Sequence, residues 1–167
     1  YPRWVAAHGV LIVCPVHWYQ APASLKLMMD RLVCADGGNP DPTTTRGKDP
    51  AAAKALELAG WPYPRHLAGR AFAVLAHGDS QGHEGLREVL TEWLTSIGMV
   101  QAGASAAVDT LIGYWEPYAT SHDKLDAQPD TFVLVDNAAK SLASMVRAIR
   151  SGAYRAPDQG LSNPRQK

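Results

Sequence analysis

The chain has 167 residues, 46% of them hydrophobic and 19% charged, which are the proportions of an ordinary globular domain and exclude a wholly disordered or fibrous chain. At this length one hydrophobic core is expected, against a prior of roughly 100 to 200 residues per domain. Sixteen Lys and Arg balance sixteen Asp and Glu, so there is no basic surplus to neutralise phosphates and nucleic acid is not expected as a partner.

Tyr1 to Val5 lack the charged and apolar regions of a signal peptide, and the chain is expected to begin inside a longer one. The longest apolar stretch, Val5 to Val16, is broken by His8 and Gly9; it falls short of the ~20 residues that cross a bilayer, so no membrane partner is expected. Within it, Val10 to Cys14 (VLIVC) is an unbroken β-branched run ended by Pro15, the pattern of a strand buried on both faces of a parallel sheet. Leu25, Met28, Met29 and Leu32 then fall at i, i+3, i+4 and i+7 with Pro22 in a first turn, which predicts an amphipathic helix. Cys14 and Cys34 form neither a disulfide framework nor a CxxC pair and suit a reducing, cytoplasmic setting.

Asp36 to Asp49 is polar and rich in Gly and Pro, and a short helical pattern at Ala51 to Leu58 closed by Gly60 follows it. Residues 36–66 are therefore expected to be an insertion, either a surface excursion or a lid. Ala71 to Leu75 (AFAVL) predicts a second buried strand, and Leu86, Val89, Leu90, Trp93, Leu94 and Ile97 predict a helix with Gly98 in a left-handed cap. A third strand is expected at Ala104 to Val108, and a last helix near Pro129 to Ile149, although Thr131 to Val135 (TFVLV) could alone be a strand. Residues 153–167 are polar and aperiodic, and read as a loose tail. The alternation of strand and helix implies βαβ units, a parallel sheet and the α/β class.

In open parallel sheets ligands bind beyond the carboxyl ends of the strands, which directs attention to three connecting segments. The first is Pro15-Val16-His17-Trp18-Tyr19-Gln20, with flat side chains beside the sheet edge that suit a planar ligand or else cap the core or an oligomer contact. The second, His77-Gly78-Asp79-Ser80-Gln81-Gly82 followed by His83 and Glu84, leads into the strongest helix, where glycines and the helix N-terminus favour an anion or an electron-rich ring edge. His77, Asp79 and His83 do not stand at a specific metal-ligand spacing, and no metal is expected. The third, Gly113 to His122, is rich in aromatics and hydroxyls and suits a pocket wall or a subunit contact.

Gly78-Asp79-Ser80-Gln81-Gly82 is also a literal G-x-S-x-G between a strand and a helix, as a nucleophile elbow requires. With Asp109 and His122 it gives the chain order Ser80, acid, His of an α/β-hydrolase, so a serine esterase is the alternative reading. The upstream HGGG-type oxyanion loop is absent.

The segment VLIVCPVHWYQAPASLKLMMDRL, with Leu25, Lys26, Asp30 and Arg31 at the right spacing, resembles the NAD(P)H-dependent, FMN-binding reductases of the flavodoxin-like superfamily. LAGRAFAVLAHGDSQGHEGLREVLTEWLTSIGM and GYWEPYATSHDKLD are similar to that family's next strand, flavin-side loop, helix and following loop, so the likeness covers about Gly9 to Gly152. The resemblance implies an α/β, flavodoxin-like three-layer parallel sheet with helices on both faces, over residues 1–152. It implies FMN as cofactor, NAD(P)H as co-substrate, a quinone or similar small acceptor, and a homodimer or homotetramer. It places Pro15, Val16, His17, Trp18, Tyr19 and Gln20 on the flavin ring, and His77, Gly78, Asp79, Ser80, Gln81 and Gly82 in a second loop beside it. Ser80 is then a loop residue, and no side chain need act as acid or base. The family's first strand and phosphate loop have no counterpart before Val10, and His77 replaces a smaller residue.

Overall fold

A computed structural model describes residues 2–36, 49–60, 66–112, 117–120, 123 and 126–161. The elements in chain order are α1 (Pro2–Ala6), β1 (Gly9–Pro15), α2 (Ala23–Asp36), α3 (Pro50–Leu58), β2 (Ala71–Gly78), α4 (His83–Ser96), β3 (Val100–Gln101), β4 (Ala107–Leu111) and α5 (Pro129–Arg150). Among the described residues every strand pairing is parallel. β2 lies in the centre: β1 pairs along one side, with Gly9 opposite Ala71 and Pro15 opposite His77, and β3 and then β4 occupy the other.

Parallel neighbours need long crossovers, and the helices in these crossovers cover the sheet. Phe72, Val74 and Ala76 face the α2 and α4 side, where they share a core with Ile12, Cys14, Met29, Leu86, Leu90 and Leu94. Ala73 packs on the opposite face with Ala102, Ala106, Leu142 and Met145, and Leu75 with Val108 and Ala138. The result is three layers, an α/β flavodoxin-like arrangement with helices on both faces of the sheet. The small residues of β2 matter here, because Ala71 and Ala73 let α5 lie close to the strand.

α4 buries Leu86, Leu90 and Leu94 along one stripe, as the spacing predicts, whereas Val89 is exposed. It ends at a left-handed Gly98, φ 84°. Gly98 N donates to Thr95 O at 2.9 Å and Met99 N to Leu94 O at 3.1 Å, the two bonds of a Schellman cap, with Leu94 and Met99 both in the core.

Three expectations need correction. β1 is buried on one face only: Ile12 and Cys14 are inside, but Leu11 and Val13 are 39% and 55% exposed. β1 is an edge strand among the described residues, and α5 packs against its start, where a Cβ on Gly9 would stand 2.6 Å from Val146. The third strand begins later than expected, because Ala104–Ala106 form a 3₁₀ turn after Gly103, φ 90°, and β4 starts at Ala107. Thr131 to Val135 are helical, inside α5. Tyr154 and Ala156 in the tail are half-buried, and the amides of Ala153 and Tyr154 both donate to Ala148 O. α1 and β3 carry too few residues for a periodic signal. Among the described residues no helix is long and apolar enough to cross a membrane.

Candidate functional site

The carboxyl ends of β1 and β2 lie side by side. Val16, buried, donates its N–H to His77 O at 2.7 Å, and Ile112 N, just past β4, donates to Gly78 O at 2.7 Å. The three strand ends are thus held level by backbone bonds that do not depend on side-chain identity.

Beyond Val16 the chain makes a miniature hairpin, with His17 N donating to Gln20 O at 2.9 Å and Gln20 N to His17 O at 3.0 Å. The two residues at its tip, Trp18 and Tyr19, have φ of 48° and 67°. Two positive φ values define a type I′ turn, which favours Asn-Gly; an aromatic pair there costs of order 1–3 kcal/mol per residue and marks a position where strain is tolerated for another reason. Trp18 is 92% and Tyr19 60% exposed, so neither recovers that cost in the core.

The second loop packs against the first. Gly82 has φ 105°, and a Cβ there would meet Tyr19 Cα at 2.7 Å; a Cβ on Gly78 would meet Val16 Cβ at 3.3 Å. The two glycines of the G-x-S-x-G segment are therefore explained by close approach to the hairpin. Asp79, Ser80 and Gln81 between them are exposed. His77 is half-buried, and desolvation lowers its pKa below the usual histidine value, which keeps the ring neutral near pH 7. Gly82 also supplies the first carbonyl of α4, to which Leu86 N donates at 3.0 Å. The amides of Trp18, Tyr19 and Asp79 to Gly82 bond no described residue and remain available to a ligand.

Pro15 to Gln20 and His77 to Gly82, picked out separately in the sequence, are thus one surface. Of the Ser80, Asp109 and His122 set, only Ser80 and Asp109 are described. His122, with Gly113 to Glu116 and Ser121 of the third segment, lies outside the described residues, as do 37–48 and 61–65 of the 36–66 insertion. Asp109 is engaged by Arg87, whose Nε donates to Oδ2, and its Oδ1 lies 3.6 Å from His83 Nδ1. This His83–Asp109–Arg87 group escapes sequence reasoning, since it depends on the β2–β4 register that places Asp109 opposite Ala76. The usable signal is the four-residue spacing of His83 and Arg87 on α4. Glu84 brings a third ligand atom within 4.8 Å of the others, but a guanidinium already bound to Asp109 would repel a divalent cation.

Two cavities lined by described residues lie elsewhere. One, of about 540 Å³, follows the free edge of β1 and touches the loop region only at Pro15 and Pro22. The other, of about 760 Å³, lies between Trp4 and the Leu27, Met28 and Arg31 side of α2. The paired loops form an open ledge, and their convergence carries more weight than the volume of either groove.

A family model described as "NADPH-dependent FMN reductase" matches residues 1–111. Among solved structures the chain is similar to RosB, determined with a bound intermediate, 8-demethyl-8-formylriboflavin-5′-phosphate. That similarity has a TM-score of 0.67 at 15% identity and covers 92% of this chain and 52% of that one. A flavone reductase matches at a TM-score of 0.48 and 17% identity, over 95% of this chain and 49% of the other. The chain thus spans about half the length of these structures. No curated protein matches it.

Proposed function

The chain belongs to the NADPH-dependent FMN reductase family, and from that premise we propose that it passes electrons from NAD(P)H through bound FMN to a quinone or similar small acceptor. The observation that carries this reading is the contact of Tyr19 with Gly82, which joins an exposed, strained aromatic turn to a loop of free backbone amides. A flat hydrophobic face and a row of N–H donors are what an isoalloxazine ring requires of a protein.

On this reading residues 1–152 are the flavin-binding domain, with residues 153–167 as a tail. Trp18 and Tyr19 flank the ring, Pro15, Val16, His17 and Gln20 set the height of the turn, and His77 to Gly82 present amides to its polar edge. FMN, when bound, supplies the two-electron chemistry. The protein orients the ring, keeps a neutral His77 beside it and stabilises negative charge through backbone dipoles. α1 (PRWVA) offers no Ser, Thr or Gly, so the phosphate is not assigned to it. A small two-electron acceptor suits an open ledge. A homodimer or homotetramer would cover the apolar side chains exposed at Leu11, Val13 and Phe132 to Val135, and free Cys14 is compatible with the cytoplasm.

Titrating the protein with FMN and following its visible absorbance tests the proposal. Trp18→Ala and Tyr19→Ala are each expected to weaken FMN binding about tenfold, the equivalent of ~1.4 kcal/mol. Because both side chains are exposed, the melting temperature should hold. Unchanged affinity in both variants would remove the ring from this ledge. Labelling of Ser80 by a serine-reactive probe would favour the esterase instead.

A further inference from the structure

We propose that His83 is the proton donor to the electron acceptor and that Asp109, held by Arg87, is the residue that positions it; this rests on the flavin reading above. His83 is the first residue of α4, immediately after the Gly82 that packs on Tyr19, so it stands at the border of the ledge. Its side chain is only 16% exposed, and its Nδ1 is buried without a hydrogen bond. A buried polar atom in that condition calls for a partner. Asp109 Oδ1 stands at 3.6 Å, too long for a hydrogen bond and close enough to become one with a small movement of the ring. Such bonds are often long in a ligand-free site and tighten when the ligand arrives.

The carboxylate is not free to turn away. Arg87 Nε, one turn further along α4, holds Oδ2, which leaves Oδ1 for the imidazole. The order guanidinium, carboxylate, imidazole is that of a base oriented by a third group. With Nδ1 turned to Asp109, Nε2 is the nitrogen left for a ligand. The charged groups around the ring are Glu84 and Arg87 on its own helix and Asp109 on β4, and β2 brings His77 to the same end of the sheet. Since Arg87 neutralises Asp109, His83 can lose and regain its proton without leaving an unpaired carboxylate.

A two-electron acceptor with a conjugated double bond, such as a quinone, gains a hydride and a proton. With FMN bound and reduced, the flavin would supply the hydride, and His83 as the imidazolium would give its Nε2 proton to one atom of the acceptor, keeping its Nδ1 proton toward Asp109. The acceptor would gain two electrons and two hydrogens in all, and the neutral imidazole would take a proton back from water at Nε2. A one-electron acceptor such as ferricyanide needs no proton. The same residues offered to a divalent cation would set it beside the Arg87 guanidinium, so the proton donor is the better use of this geometry.

The test uses FMN-loaded wild-type protein, His83→Gln and Asp109→Asn, each first checked for FMN affinity and melting temperature. Stopped-flow reoxidation of the reduced flavin is followed with benzoquinone and with ferricyanide across pH 5–9. His83→Gln should slow the quinone reaction at least tenfold and the ferricyanide reaction less than twofold. Asp109→Asn should act in the same direction and move the pH profile for quinone alone. Independently of activity, ring ¹⁵N spectra of FMN-free protein should show His83 protonated at Nδ1 in the neutral form, and Asp109→Asn should return it to a mixture of tautomers. Equal losses with both acceptors, no loss with either, a mixed tautomer in the wild type, or displacement of the His83 signals by stoichiometric Zn²⁺ would each overturn the donor role. Wild-type protein that takes up no FMN overturns the flavin reading and the donor role together, whereas bound FMN with variants insensitive to the acceptor overturns the donor role alone.

Discussion

Trp18 and Tyr19 show how a residue can be legible in chemistry and illegible in conformation. Their flat, amphipathic side chains after a strand mark a ligand loop, but nothing in the letters announces positive φ, because a type I′ turn normally declares itself with Asn and Gly. The strain has a consequence that separates stability from function. Replacing the pair with Asn-Gly should raise stability by about 1–2 kcal/mol by relieving both positions, while FMN affinity falls; urea unfolding and flavin titration of the same protein measure the two effects. Gly82→Ala should do the opposite to the fold. Its φ of 105° and the 2.7 Å approach to Tyr19 predict a loss of about 2 kcal/mol or more and a displaced hairpin. His77 adds a pH dependence. Burial lowers its pKa, so the unfolded chain binds its proton first, at about pH 6.5. The stability that a neutral His77 confers is complete above that pH and lost as pH falls below it toward the lowered value. His77→Gln should flatten this slope in melting temperatures recorded from pH 7.5 to 5.

At the scale of elements, legibility follows from how many residues carry the signal. α4 has five apolar positions, with Ile97 at its cap and a glycine stop, and it forms where the spacing places it, with both Schellman bonds in place. Gly98→Ala should therefore cost about 1 kcal/mol through its positive φ. Leu90→Ala, at 0% exposure, should cost about 2–5 kcal/mol by leaving a cavity under the helix; denaturant midpoints at equal m-value check both. Two-residue β3 has no pattern to read, and the boundary of β4 is set by Gly103 and a 3₁₀ turn instead of by hydrophobicity. Thr131 to Val135 shows the limit from the other side. Four β-prone residues and one leucine are helical because twenty-two residues from Pro129 to Arg150 share one cooperative element.

For the molecule as a whole, the question is what the sheet leaves uncovered. VLIVC and AFAVL have the same apolar character, yet β2 is buried on both faces and β1 on one. A five-residue run records composition, whereas centrality depends on how many strands flank it and on where α5 crosses, and neither is written locally. The candidate site is partly legible for the same reason: both loops follow strands and were identifiable one by one, but their contact, and the placement of Asp109 beside His83, come from strand order and register. The asymmetry of β1 can be measured with one isosteric substitution at two places. Val74→Thr puts a hydroxyl into the core and should cost about 1–3 kcal/mol. In the isolated chain, Val13→Thr, at a position 55% exposed, should stay within about 0.5 kcal/mol. Equal costs at the two positions would mean that in the folded protein in solution this face of β1 is covered, by a further segment or by a second copy. Protein concentration then separates those two cases, since only an intermolecular cover makes the unfolding midpoint of wild-type protein rise with concentration.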